Sequence, residues 1–237
     1  MAAATDEPGS GSMVDRIVVI TGATGDLGPV VARSFAEAGA RCALLARDEE
    51  ACIGVVMSLP GGTRRHHAVP VDLSDGASAR AAAATVREKL GLPSVLLHLV
   101  GGYAGGKPFI ETDDDELASQ LELNLWTTAR TIRAFLPDIA AAEHGRILMM
   151  STFVASAPTP KHAAYASSKA AAEALTISVA RDLAGTTATA NVVVVRSIGD
   201  VKPTETRPDE IAAAMLWLCS PEAGATNGQR IVLHGRA

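Results

Sequence analysis

Aromatic residues are scarce in this chain of 237 residues, with two Trp, two Tyr and four Phe making up 3% of it. That scarcity leaves core packing to small residues, and the abundance of Ala suits closely packed helices. Charge is also limited: 20% of residues are charged, the net charge is −5, and 48% are hydrophobic, a balance that excludes a disordered chain. The only basic cluster, Arg64-Arg65-His66-His67, lies just before an apolar run and reads as a solvated turn. No surface that tracks phosphates is present, so nucleic acid is not an expected partner. Cysteine is limited to Cys42, Cys52 and Cys219, odd in number, scattered, and set in apolar runs. This usage excludes a disulfide framework, shows no metal-ligand spacing, and leads us to expect reduced core thiols in a cytoplasmic protein. No apolar run reaches membrane-spanning length, so no membrane association is expected. The opening segment MAAATDEPGSGS lacks the basic start and apolar centre of a signal peptide. Residues 1–13 are expected to be a flexible tail, and residues 14–237 a single domain.

What the chain does have is alternation. The apolar runs RIVVI, CALLA, HAVPV, SVLLHLV, RILMMS, NVVVV and RIVLHG are separated by stretches of helical periodicity, giving seven strands and six helices. Strands apolar on both faces and joined through helices specify an α/β fold, a doubly wound parallel sheet of the Rossmann type. Ligands in that architecture lie beyond the carboxyl ends of the strands.

After the first strand comes TGATGDLGPV, in which Gly22, Gly25 and Gly28 are spaced by three and Pro29 suits a first helical turn. Glycine lets a pyrophosphate approach backbone N–H groups at the positive end of a helix. The turn formed by Gly22, Thr24, Gly25, Asp26, Leu27 and Gly28 is thus the expected pyrophosphate contact. The second strand ends in Ala46-Arg47, with no carboxylate at Ala46 to bind a ribose. An arginine there pairs instead with a 2′-phosphate, which favours NADP (NADPH) over NAD. Asp72, after the third strand, is a candidate for the adenine edge or for a helix cap. Tyr165 and Lys169 are four residues apart in a helical stretch, on one face.

In their order and separation, the glycine turn, Asp72-Leu73, Asn124-Leu125 and Tyr165-x-x-x-Lys169 resemble the short-chain dehydrogenase/reductase family from Val14 to the C-terminus. The glycine spacing departs from the family's usual pattern, and His98-Leu99-Val100-Gly101 stands where Asn-Asn-Ala-Gly is usual. GATGDLG and VGGYAGG are similar to the dihydropteridine reductase branch. The resemblance implies a Tyr165 proton donor, Lys169 as its electrostatic partner, and Asn124 as the residue that orients a relay water. It also implies a hydroxyl thirteen residues before the tyrosine, at Thr152, with Ser151 as the alternative because only one of the two faces the site. Cofactor contacts are implied at the glycine turn, Arg47, Asp72, Leu73, Gly101, Ile198, Tyr165 and Lys169.

A free phenol has a pKa of about 10. Lys169 and an oxidised nicotinamide are expected to lower it, Tyr165 then giving its proton as hydride reaches a carbonyl carbon. The expected function is NADP-dependent carbonyl reduction or alcohol oxidation on a small molecule. The alternatives are a quinonoid dihydropteridine-type reductase, weakened by Arg47, and a catalytically silent dinucleotide-binding sensor. His162 reads as a loop residue and His98 as a structural group; Trp126, Trp217 and the methionines read as packing. Between Arg196 and Glu210 only a short polar loop replaces the family's substrate-covering segment. A homodimer or homotetramer, built through the Ala-rich helices around Trp126 and Ala170 to Leu175, is the expected way to cover the site.

Overall fold

The computed structural model describes residues 13–236. Seven strands pair in parallel: β1 (Ile17–Thr21), β2 (Arg41–Ala46), β3 (His67–Pro70), β4 (Val95–His98), β5 (Arg146–Thr152), β6 (Thr189–Val195) and β7 (Arg230–Leu233). Their order in the sheet is β3-β2-β1-β4-β5-β6-β7. The helices are α1 (Gly28–Glu37), α2 (Glu49–Ser58), α3 (Gly76–Lys89), α4 (Asp114–Leu121), α5 (Thr127–Ala141), α6 (Ala163–Asp182) and α7 (Pro208–Cys219).

Successive strand side chains point to opposite faces, and both faces are covered. Val18, Ile20, Leu44, Leu97 and Leu148 pack with Phe35 of α1, Val56 of α2 and Met215 of α7. Val19, Leu45, Leu96 and Ile147 pack with Val86 of α3, Phe135 of α5 and Ala180 of α6. This two-sided burial is why the strands read as unbroken apolar runs. The chain leaves β1 for β2 and β3, then returns to place β4 on the other side of β1. The reversal opens a crevice at the carboxyl ends of β1 and β4.

Helices α4 and α5 form one continuous body joined by a π-helical turn, Glu122–Trp126, in which the Thr127 N–H bonds to the Glu122 carbonyl five residues back. Counted this way, the six expected helices are the observed ones. The turn loosens two carbonyls, and each is met by a hydroxyl one helical turn on: Thr127 Oγ1 donates to Leu123 O and Thr128 Oγ1 to Asn124 O, both at 2.6 Å.

Three expectations need correction. Met13, placed in the tail, is fully buried in the core, while the rest of that segment lies outside the described residues. His66 is not solvated: its Nδ1 accepts the Cys42 N–H at 3.0 Å and its Nε2 meets Pro60 O at 2.8 Å, so it ties β2 to the turn ahead of β3. Trp126 and Trp217 are 47% and 53% exposed rather than packed inside, and Trp126 lies under the Arg130 guanidinium. Of the methionines, Met57 is also largely exposed. The three cysteines are buried and unpaired, and burial pushes their thiols up to about 12, 11 and 12 for Cys42, Cys52 and Cys219. Among the described residues no helix is long and apolar enough to cross a membrane.

Candidate active site

The carboxyl ends of the strands carry two adjoining clefts that share Leu99 and Gly101. The larger, about 520 Å³, lies over β1 to β3. Its floor is the glycine turn. Gly22 has φ +66°, and a Cβ there would stand 3.2 Å from the backbone of Leu99 and Val100. At Gly28, the first residue of α1, a Cβ would meet the Ala23 carbonyl at 2.4 Å. Side chains are thereby excluded where the turn feeds the positive end of the helix, which leaves bare backbone on that side of the cleft. Gly22, Thr24 and Gly25 line the cleft, whereas Asp26 is exposed outside its walls and Leu27 is buried in the core.

Arg47 lines the same cleft, is exposed, and makes no ion pair among the described residues. Ala46 beside it is buried, and Asp48 is committed to capping α2 through the Ala51 N–H at 3.0 Å. Asp72 also lines the cleft, but the helix cap is Asp75, whose carboxylate accepts the Ala77 and Ser78 N–H groups. Asp72 Oδ1 accepts the Ser74 hydroxyl and N–H at 2.7 and 2.9 Å, and these bonds hold its carboxyl below the usual range, helped by Arg47 and Arg130. A cradle of glycine backbone with an unpaired guanidinium on the same wall fits a dinucleotide.

The smaller cleft, about 290 Å³, lies over β4 to β6 and brings together Tyr165, Lys169, Thr152, Tyr103, Arg196 and Ile198. Tyr165 stands in the first turn of α6, half-buried, with the Tyr103 ring edge-on at 5.2 Å between centroids. Lys169 is buried, and its ammonium donates to Met150 O at 3.1 Å. Gly101 is essential to that placement, since a Cβ would stand 2.5 Å from Lys169 Nζ and 3.0 Å from Asn124 Oδ1. Burial lowers the Lys169 pKa to about 8, against the pull of Glu173.

Among the protein's own groups, the surroundings of the phenol act in both directions. Burial raises the Tyr165 pKa, the Thr152 hydroxyl draws it back down, and Tyr103 pushes it up again.

The two candidate hydroxyls at the end of β5 have different surroundings, although both reach the cleft. Ser151 Oγ donates to Glu173 Oε1 at 2.6 Å, and Glu173 is ion-paired with Arg230 at 2.6 Å. Thr152 is the hydroxyl that acts on Tyr165. Asn124, in the π turn and fully buried, exchanges two hydrogen bonds with Gly102 at 3.1 Å each way and reaches Gln120 and Ser168. Its side chain therefore braces the glycine-rich loop, and its carbonyl is taken by Thr128. His98 is buried, shares a 3.0 Å hydrogen bond with Thr21 Oγ1 through Nδ1, and has no partner at Nε2.

Sequence reasoning did not place Tyr103, Glu173, Ser168 or Arg196 in or around the site. Glu173 had a local signal: it lies one helical turn beyond Lys169, the same spacing that singled out Tyr165.

Residues 16–210 match the family described as short chain dehydrogenase. A short chain dehydrogenase of Pseudocercospora fijiensis is 30% identical over 177 residues, 74% of this chain and 57% of that protein. The 2,3-dihydroxy-2,3-dihydro-p-cumate dehydrogenase of Pseudomonas putida is 26% identical over 245 residues, 93% of each chain. A short chain oxidoreductase of Pseudomonas aeruginosa PAO1, solved with NADPH bound and containing an atypical catalytic centre, is 25% identical, with TM-score 0.87 over 95% of this chain and 97% of that one.

Proposed function

The chain belongs to the short chain dehydrogenase family, and on that premise we propose that it is an NADP-dependent oxidoreductase acting on a carbonyl or alcohol group, with Tyr165 as the acid/base. One observation carries the reading: the Tyr165 phenol and the Thr152 hydroxyl share a cleft that adjoins a glycine-floored one of about 520 Å³. The bound nicotinamide supplies the hydride.

The chain's residues do the rest. In the reducing direction a carbonyl oxygen between Tyr165 and Thr152 takes the phenol's proton, and the raised pKa keeps that proton in place near neutrality. Thr152 donates to the developing alkoxide. Lys169, still mostly charged at pH 7 with a pKa of about 8, supplies positive charge behind the reacting centre. Asn124 holds Gly102, and so fixes the loop that separates the two clefts. Preference for NADP is supported by the unpaired Arg47 and by the absence of a free carboxylate at the end of β2.

A second reading, reduction of a quinonoid pterin, draws on Tyr103, whose ring lies at the mouth of the cleft beside Tyr165 and could support a flat heterocycle. A homodimer or homotetramer, in the cytoplasm, remains part of the proposal. It is supported by the exposed Trp126 on the helical body that bears Asn124, and sedimentation at micromolar concentration tests it.

The central test is fluorescence titration with NADPH and NADH, followed by turnover of ketones, 3-oxoacyl thioesters and quinonoid pterins. NADPH should bind more tightly, and Arg47→Ala should narrow the difference. Tyr165→Phe should abolish turnover while cofactor affinity stays within a few-fold. Tight binding without turnover of any substrate would favour a silent sensor.

A further inference from the structure

Arg196 follows the last residue of β6 and lines the cleft that holds Tyr165, Thr152 and Lys169. Its guanidinium carbon lies 5.6 Å from the centre of the Phe153 ring, and Phe153 directly follows Thr152. A cation held over a ring face in this way makes its contact through charge and leaves the N–H groups of its fork available to a planar bidentate partner. Among the described residues that fork has no such partner, since Arg196 takes part in no ion pair and no side-chain hydrogen bond.

Asp200, four residues further along the same loop, is exposed and forms no ion pair with Arg196, and three other acids are engaged elsewhere. Glu205, in the loop after β6, accepts the Val201 and Lys202 N–H groups at 3.0 Å. Glu173 is held by Ser151 and Arg230, and Asp209 by Arg207. The wall of the cleft contains no Asp or Glu, and its two charged residues, Lys169 and Arg196, are both cations. They differ in access: Lys169 is buried and bonded to Met150 O, whereas Arg196 is exposed. A cleft with this lining attracts anions and leaves one fork free to bind them.

We infer that the substrate carries a carboxylate, held by the Arg196 guanidinium while its carbonyl oxygen faces Tyr165 and Thr152. The chemical step rests on the reductase reading above, but the carboxylate site does not. In that step an oxo acid accepts hydride from the reduced nicotinamide at its carbonyl carbon and a proton from Tyr165 at oxygen. The products are the hydroxy acid and the oxidised nicotinamide, and solvent returns the proton to Tyr165. A phosphate of the cofactor is the other anion within the same chemistry, so the test separates the two.

Calorimetry on the NADP-loaded protein compares benzoate and pentanoate with benzamide and pentanamide, and kinetics compare 4-oxopentanoate with its methyl ester. The acids should bind about tenfold or more tightly than the amides, and Arg196→Gln should level that difference while Arg196→Lys retains part of it. The selectivity in kcat/KM for 4-oxopentanoate over the ester should fall by about 10- to 100-fold in Arg196→Gln. Equal binding of acids and amides by the unmutated protein overturns the inference. So does a loss of NADPH affinity in Arg196→Gln as large as the loss of acid binding, which would assign the fork to a cofactor phosphate. Arg196-dependent binding of benzoate with no turnover of any carbonyl supports the carboxylate site and counts against the reductase reading alone.

Discussion

His98 makes the protein's stability depend on acid in a way that one substitution should remove. The ring is fully buried, its Nδ1 is satisfied by Thr21, and its Nε2 has no partner, so an imidazolium would carry an unpaired N–H into the core. Burial, reinforced by the nearby Lys169 charge, lowers its pKa to about 3. In the unfolded chain a histidine takes its proton near pH 6.5. Between those values the unfolded state binds the proton and the folded state does not, so stability falls as pH drops from about 6.5 towards 3. At pH 5 the single group costs about 2 kcal/mol relative to neutral pH, growing by about 1.4 kcal/mol for each further pH unit. The assay is urea unfolding at pH 7, 6 and 5 for the unmutated protein and for His98→Gln, which keeps polar atoms but cannot titrate. Groups common to both cancel, and the stability lost on going from pH 7 to 5 should be about 2 kcal/mol smaller in the variant. Parallel losses in the two proteins would refute the argument. The variant's absolute stability at pH 7 is not at issue.

Thr152→Ala should lower turnover by about 10²-fold, as expected for loss of an oxyanion donor. Ser151→Ala should instead cost about 1–2 kcal/mol of stability, because Glu173 keeps only Arg230 as a partner. The reverse assignment of effects, read by kcat and by thermal unfolding, would transfer the catalytic hydroxyl to Ser151. Gly101→Ala drives a methyl to 2.5 Å from Lys169 Nζ. It should weaken NADPH binding by about tenfold and cost about 1–3 kcal/mol as the ammonium and Asn124 are displaced, read by titration and by thermal unfolding. An unchanged cofactor affinity would count against Lys169 as a cofactor contact.

The strands were legible because burial on both faces leaves uninterrupted apolar runs: NVVVV lies inside β6, and CALLA ends where β2 does. The glycine turn was legible because only glycine tolerates the approach of the Leu99 backbone. What stayed hidden depends on partners far apart in sequence. His66 reads as part of a basic cluster until its ring is seen to accept the Cys42 N–H, 24 residues away. Ser151 and Thr152 cannot be ranked from spacing alone, because what separates them is Glu173 and, behind it, Arg230 on another strand. The π turn has no periodicity of its own, since its geometry is held by Asn124 reaching across to Gly102.

That turn has a consequence for the length of the chain. An α-helix advances about 100° per residue, so a π turn amounts to one inserted residue. Deleting Leu123 would restore an unbroken helix and a regular backbone ladder, a local gain in stability. It would also rotate α4 by about 100° against α5, carrying Gln120 away from the Ala104 N–H and from Asn124. The residue that the π turn accommodates is thus what lets one continuous helical body present both Gln120 and Asn124 to the loop at Gly102 and Ala104.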